Sequence, residues 1–472
     1  MRMSDTEAIM WAVEKDPALR SDFMNITVLD GLPDETRLRS KVEHALATIP
    51  RLRQRVVSPP LRLAPPEWRE DPTLDLEYHL RRVAVPSPGG MRELLDLSST
   101  LASMPLDRSR PLWAFTLVEG LEGGRAALLQ QVHHTITDGV GGLRLSLSLV
   151  DLEPDPEPEP PPARSATATV AAEVAAEAQT AAEADPIART TPIEVVGDAL
   201  VYSARSNAHL AGEVIAALAR TARHPAEIGG RAGGAVALAR SVRRQVLVTD
   251  GARSPLMSER SLGRHFEVVQ LPLDRAKTAA GRLGGTLNDL YVTGVAGALG
   301  IYHERMGVSC DELRMAMPVS LRDGASDAGS NAFAPTRVVV PVQPKEPAPR
   351  FAAVHQALAG LRAEPVLSAV GPLSALLAPL PTAVLVNMAR SQSRTIDFAT
   401  SNLRGSPVAL YLGGRRIEAS FPMGPRSGVP LNATLLSYSD SLDIGINLDP
   451  VSITDPLALM AALDESFGAL LE

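Results

Sequence analysis

Two adjacent histidines, His133 and His134, followed four residues later by Asp138-Gly139, are the residues of this chain best suited to chemistry. Imidazole takes and returns a proton near neutral pH more readily than any other side chain. The pair closes a run, Arg125–Val132, that reads as a strand, and a strand end is a rigid place from which to present a base. Neighbouring residues of a strand face opposite sides, so the two rings must have different jobs. His134, nearer the loop, is the candidate base, and His133 is expected to support the backbone or to pack. Asp138 can turn back and fix the loop, while Gly139 lets backbone approach closely. The plainer alternative is a structural histidine pair with a loop-capping aspartate.

Nothing else in the chain competes for the chemistry. There is no G-x-S-x-G nucleophile elbow, no Walker A loop and no G-x-G-x-x-G. The lone Cys310 has no partner for a disulfide and no neighbours for a zinc site, so neither a metal nor a cofactor is expected. The other histidines (His44, His79, His209, His224, His265, His303 and His355) are scattered and read as surface or packing residues. A base without a protein nucleophile implies that a substrate group attacks directly. Such a base supplies roughly 10²–10⁴-fold, and alignment of two bound substrates must supply much of the rest.

The elements that would hold this base alternate between helix and strand. Asn25–Leu29 reads as a strand, and Asp34 opens a helix to Ile49 with Leu38, Val42, Ala45 and Leu46 on one face. Leu52–Val57 is expected to be a strand, Met91–Ala102 a helix, and Trp113–Val118 with Arg125–Val132 a hairpin around Gly120, Gly123 and Gly124. From Glu153 the chain turns Pro/Glu-rich and then Ala/Glu-rich, a composition with nothing large enough to build a core. A second α/β region starts near Ser254. Its expected elements are a strand at His265–Leu273, helices at Asp274–Arg282 and Leu287–Glu304, and strands at Arg314–Val319, Thr336–Val342, Val408–Leu412 and Ile417–Ser420. A hairpin, Leu431–Tyr438 with Leu442–Asn447, and a helix opened by Asp455-Pro456 complete it. The division is therefore 1–152, a linker 153–190, a helical connector 191–253, and 254–472, with a cleft between the halves as the place for a site.

Composition narrows the partners. A net charge of −8 argues against a general nucleic-acid binder, which needs a basic face. The N-terminus lacks the apolar core of a signal peptide, and one cysteine fits a reducing, cytoplasmic setting. From Pro365 to Ala389 no residue is charged, but Pro372, Pro379 and Pro381 cut the run into pieces too short for a bilayer of roughly 30 Å. A buried pair of helices or a surface facing lipid or an acyl chain both accommodate it.

HHTITDG resembles the signature of the chloramphenicol-acetyltransferase-like superfamily, shared by condensation domains and several acyltransferases. The whole chain more closely resembles the bacterial wax ester synthase/diacylglycerol acyltransferase family. The supporting residues are PLDRSRPLW (Pro105–Trp113), GGTLNDLYVTGVAGAL (Gly284–Leu299), MPVSLR (Met317–Arg322), Ser330-Asn331, SNLRGSPVALYL (Ser401–Leu412) and FPMGP (Phe421–Pro425), in that order. One departure is Pro17-Ala18-Leu19-Arg20, which stands where the family carries a Pro-Met-His run.

The resemblance implies an α/β fold of two chloramphenicol-acetyltransferase-like domains, mixed sheets flanked by helices, with the active site at the interdomain cleft. It implies an acyl-CoA-dependent transfer to diacylglycerol or a long-chain alcohol, with acyl-CoA as substrate and no cofactor. His134 would be the base, Asp138 a structural partner of Arg322, and Asn288 an orienting amide for substrate or oxyanion. Asp289 and Asn331 join the substrate-binding candidates, with Pro111, Leu112 and Trp113 shaping the wall. The enzyme would associate peripherally with the inner face of the membrane or with lipid droplets; a homodimer is one open possibility. CoA recognition has two candidates, Arg415-Arg416 and the arginines around Arg240–Arg244, each of which also reads as a solvated face. Two further readings stand beside it: within the superfamily, acyl transfer from a carrier protein to a polyketide or glycolipid alcohol; and, from another class, a non-catalytic lipid-binding or lipid-droplet surface protein.

Overall fold

The computed structural model describes residues 1–59, 64–136, 142, 145–156, 251–320, 333–343, 345–361, 374 and 377–472, the side chains of 319, 320 and 333–335 excepted. The expected linker and connector fall, from 157 to 250, outside the described residues. In chain order the first half supplies β1 (Asp22–Leu29), β2 (Gln54–Val57), β3 (Glu67–Glu70), β4 (Leu80–Ala84), β5 (Trp113–Glu119) and β6 (Ala126–His133). The second half supplies β7 (His265–Pro272), β8 (Glu312–Ser320), β9 (Phe333–Pro341), β10 (Phe398–Arg404), β11 (Tyr411–Leu412), β12 (Arg415–Met423), β13 (Leu431–Tyr438) and β14 (Ser441–Leu448).

These strands form two six-stranded mixed sheets and one hairpin. The first sheet runs β11-β12-β1-β6-β5-β4, the second β7-β14-β13-β10-β8-β9, and β2 pairs with β3. All eight residues of β6 are buried, which fits a strand covered on both faces rather than one with a wet side. On one face Leu128 and Val132 join Trp113, Phe115 and the helix Glu35–Thr48 through Leu38 and Val42. On the other, Ala127 and Leu129 join Met24, Ile26 and the helix Met91–Ser103 through Leu94 and Leu95. A third core lies in the second half, where the helices Leu287–Arg305 and Pro456–Leu471 pack together against the second sheet.

The α/β class with mixed sheets flanked by helices stands as expected, and most elements lie within a residue or two of their expected ends. The helix Glu35–Thr48 begins after Asp34, whose carboxylate accepts from Arg37 N–H at 3.0 Å. The hairpin β5–β6 turns through Gly120, Gly123 and Gly124, all at positive φ. Two elements differ. The strand expected at Val408–Leu412 is only Tyr411–Leu412, and Phe398–Arg404 is a strand although its sequence, FATSNLR, has little apolar character. It is held between β13 and β8, both parallel to it, so tertiary pairing overrides weak propensity.

The halves share a sheet. β12, from the second half of the sequence, lies antiparallel to β1 with Met24 opposite Met423 and Ile26 opposite Phe421. β11 continues beyond it and Asp151 bridges to Tyr411. The second half is thus built into the sheet that carries the histidine pair. Of the uncharged run, the helix Thr382–Ser393 is described; it packs against the N-terminal helix Asp5–Val13, with Leu385 buried and Val384 exposed.

Candidate active site

His133 is the last residue of β6, opposite Asp22 of β1, and its N–H donates to Leu112 O at 3.0 Å. His134 follows in the turn, where its N–H donates to Ser21 O at 3.3 Å. Strand parity places its ring on the side of Val132 and Phe23, and it meets the Phe23 ring edge-on at 5.2 Å. His134 is half-buried, whereas His133 is 5% exposed. The two rings are therefore separated by face and by exposure.

His133 is spent on structure. Its Nδ1 accepts from Thr135 N–H at 3.1 Å and lies 2.7 Å from Thr135 Oγ1. With Nδ1 an acceptor, the proton sits on Nε2, which donates to Glu14 Oε2 at 2.5 Å. Burial by itself would raise the Glu14 pKa, but the His133 ring, the Ser21 N–H and Arg108 together hold it below the usual carboxylate range. Glu14 caps the C-terminus of the helix Asp5–Val13, so this pair ties the N-terminal helix to the strand end. Arg108 completes the wall, 3.4 Å from Glu14 Oε2 and 3.6 Å above the Trp11 ring.

The turn itself is clamped by a residue that sequence reasoning missed. Arg51 Nη1 donates to Thr135 O at 2.7 Å and Ile136 O at 3.3 Å, and pairs with Glu7 Oε1 at 2.7 Å. Glu7 is itself buried, its other oxygen closing the capping box with Ser4. The Ser-x-x-Glu spacing at Ser4–Glu7 was the available signal; nothing local marks Arg51.

The remaining candidates divide. Asp138, Gly139, Arg322 and Asn331 lie outside the described residues, as do the arginines from 240 to 244. Pro111, Leu112 and Trp113 are buried: Trp113 stacks on His79 at 4.5 Å and donates from Nε1 to Leu52 O at 2.9 Å. They support the strand that presents the histidines. Asn288 is not the cap of its helix; Thr286 is, in a reciprocal box with Asp289. Asn288 Oδ1 accepts from Asn402 Nδ2 at 3.1 Å, joining the helix start to β10. The Asp289 carboxylate holds the cap and pairs with His355 Nδ1 at 2.8 Å. Arg415 donates to Leu32 O and Arg416 N–H to Asp30, both at the outer edge of the first sheet.

A cavity of about 40 Å³ lies on the His134 face of β1 and β6, where Gly405, Ser406, Leu436 and Tyr438 approach from the second half. Its lining includes Gln130, four residues before His134 and so about 13 Å along the strand. The floor is polar: Asn25 Nδ2 lies within 3.2 Å of Thr27, Gln130 and Ser420 oxygens, and Ser146 Oγ donates to Gln130 Oε1 at 3.0 Å. Leu147, Val150, Leu410, Leu412 and Ile417 form apolar walls. His134 is not part of this lining. Cys310, in the second half, has its thiol pushed up to about 11, chiefly by burial, which makes it a poor nucleophile.

Comparison with known proteins gives consistent matches over the whole chain. The model of the wax ester synthase/diacylglycerol acyltransferase catalytic domain matches residues 26–291, and that of the family's C-terminal domain matches residues 329–471. A Mycobacterium tuberculosis protein with the provisional name diacylglycerol O-acyltransferase is 34% identical, over 100% of this chain and 92% of its own length. A second such protein from that organism is 28% identical over 100% and 97%. Among solved structures, the wax ester synthase/diacylglycerol acyltransferase from Marinobacter aquaeolei VT8 superposes with a TM-score of 0.63 at 22% identity, covering 100% of this chain and 98% of that one. The first condensation domain of the calcium-dependent antibiotic synthetase gives 0.59 at 16% identity, covering 100% and 96%.

Proposed function

We propose how this chain works from the premise that it belongs to the wax ester synthase/diacylglycerol acyltransferase family. It is an acyl-CoA-dependent O-acyltransferase of neutral-lipid synthesis, joining an acyl group to a hydroxyl of diacylglycerol or of a long-chain alcohol. In our reading His134 takes the hydroxyl proton as the oxygen attacks the thioester carbonyl carbon. The C–S bond breaks, the ester forms, and the proton passes to the departing CoA thiolate. No acyl-enzyme is needed, because both reacting atoms arrive with substrates. For the same reason the reaction calls for no resident metal or cofactor.

The observation that carries this reading is the split between the histidines: His133 buried on Glu14, His134 half-buried at the strand end. We assign Asn288, in the first turn of its helix, the orienting of a developing oxyanion, a role the helix dipole at that position supports. Asp138 and Arg322 are assigned the loop-fixing pair. Among the described residues no helix is long and apolar enough to cross a membrane, and we assign a peripheral association with membrane or lipid-droplet surfaces.

The test is a thin-layer assay of the purified chain with palmitoyl-CoA, run against diolein and hexadecanol in parallel. Ester formation with either acceptor is expected in the wild type and none in His134→Ala, with circular dichroism unchanged. Undiminished product from that variant would sink the assignment. Flotation with phosphatidylglycerol-containing vesicles tests the peripheral mode; failure to float would overturn it.

A further inference from the structure

Four segments distant in sequence meet beside the strand end that carries His134. Ser427 Oγ donates to Arg20 O at 3.4 Å, and Arg260 Nε donates to Gly428 O at 3.0 Å. Gly428 is so close to the helix Thr382–Ser393 that a Cβ there would come within 2.6 Å of Ser393 Oγ and 3.3 Å of a Leu19 methyl. These contacts bring the backbone at Arg20, the side chain of Arg260 and the end of that helix, where Arg394 follows Ser393, to one rim. Arg20 precedes Ser21, whose carbonyl receives the His134 N–H, so the rim adjoins the base.

The charge at this rim is unbalanced. The surrounding arginines have carboxylates: Arg264 on Asp22, Arg390 on Asp16, and Arg426 on Asp449. Among the described residues Arg20, Arg260 and Arg394 have none within ion-pair distance, in a chain that carries 54 acidic and only 46 basic residues. Among the described residues Arg260 bonds to four carbonyls, from Nε, Nη1 and Nη2, and Arg20 to Ser103 O, while Arg394 is exposed. Burial lowers the Arg260 pKa most; Asp449 and Asp397 oppose this, and Arg426 and Arg394 add to it, so Arg394 stands close enough to Arg260 to act on its charge. Guanidinium groups suit phosphate oxygens because their planar forks make two parallel hydrogen bonds.

We propose that Arg20 and Arg394, with the carbonyl-bound Arg260 adding its charge, form a rim that binds the nucleotide phosphates of the acyl-CoA donor, with its thioester arm running from the rim to His134. This rests on the acyltransferase reading above. Anionic lipid headgroups offer the same phosphate chemistry, so the experiment separates the two sources.

The full chain is assayed with two donors, palmitoyl-CoA and S-palmitoyl-pantetheine, which lacks every phosphate. Arg394→Ala and Arg20→Ala are each expected to raise KM for palmitoyl-CoA about tenfold and to erase the wild type's preference for it over the phosphate-free donor. Arg305→Ala, which removes an exposed arginine at the end of the helix Leu287–Arg305, serves as the charge control and should leave that preference intact. An equal change with both donors, or none with either, overturns the rim. Calorimetry with adenosine 3′,5′-bisphosphate gives a readout independent of turnover: binding in the wild type and its loss in both variants supports the rim, and no binding overturns it. Loss of phosphatidylglycerol-vesicle binding in the variants, with nucleotide binding retained, also overturns it in favour of a lipid headgroup. Were the wild type inactive with palmitoyl-CoA, the acyltransferase reading would fail by itself and the calorimetry would still judge the rim.

Discussion

At the scale of single residues, the two histidines show how much a short motif reveals and where it stops. Strand parity alone separated their faces, because neighbouring residues of β6 face opposite cores. The partner of His133 was not legible, since Glu14 lies 119 residues away and no local periodicity links them. Glu14→Ala leaves the buried Nε2–H without an acceptor and is expected to cost roughly 3 kcal/mol, read from the urea midpoint. The pH dependence has a definite sign. A carboxyl with a lower pKa folded than unfolded binds fewer protons in the native state, so its stabilisation is present above the unfolded value near 4.5. It is lost as pH falls below that through the lowered folded value. The margin of the wild type over Glu14→Gln should therefore close as pH drops from 6 towards 3; a margin that widens would show that the carboxylate is not stabilised in the fold.

At the scale of elements, the turn after the histidine pair is held from outside itself. Arg51 donates to the carbonyls of Thr135 and Ile136, so removing it frees the backbone that directs the His134 ring. A displacement of about 1 Å at a base can cost about 10²-fold. Arg51→Ala is expected to lower kcat by that order while KM for palmitoyl-CoA moves less than threefold. Arg51→Lys, which keeps the charge but not the fork, should recover only part. A KM effect with kcat preserved would show that Arg51 serves binding instead. The helix Leu287–Arg305 tells a complementary story. Its extent was plain from apolar content, and its start is fixed by Thr286 through the reciprocal box with Asp289. Thr286→Ala should cost about 1 kcal/mol in a urea melt. β10 escaped sequence reading because its polar residues become a strand only when β8 and β13 flank it.

At the scale of the molecule, the chain is two α/β halves in sequence but not two independent units in space. The patterns of β1 and β12 each announce a strand, yet nothing in either says that they pair, since a sheet edge accepts any strand of fitting face. In the structure β12 covers the edge of β1, and Ala419, Phe421 and Met423 complete the core beneath the helix Met91–Ser103. The second half thus supplies part of the wall behind the histidine pair. A fragment of residues 1–156 would lack β11 and β12 and expose the full hydrogen-bonding edge of β1, the arrangement that invites edge-to-edge aggregation. The whole chain is accordingly expected to unfold in a single calorimetric transition whose van't Hoff and calorimetric enthalpies agree, while the 1–156 fragment is expected to aggregate. Phe421→Ala, at a position 4% exposed, should lower the temperature of that one transition rather than split it, at a cost of roughly 3–5 kcal/mol. Two resolved transitions in the wild type, or a soluble folded fragment, would show that β12 merely rests against the first sheet and that the halves fold apart.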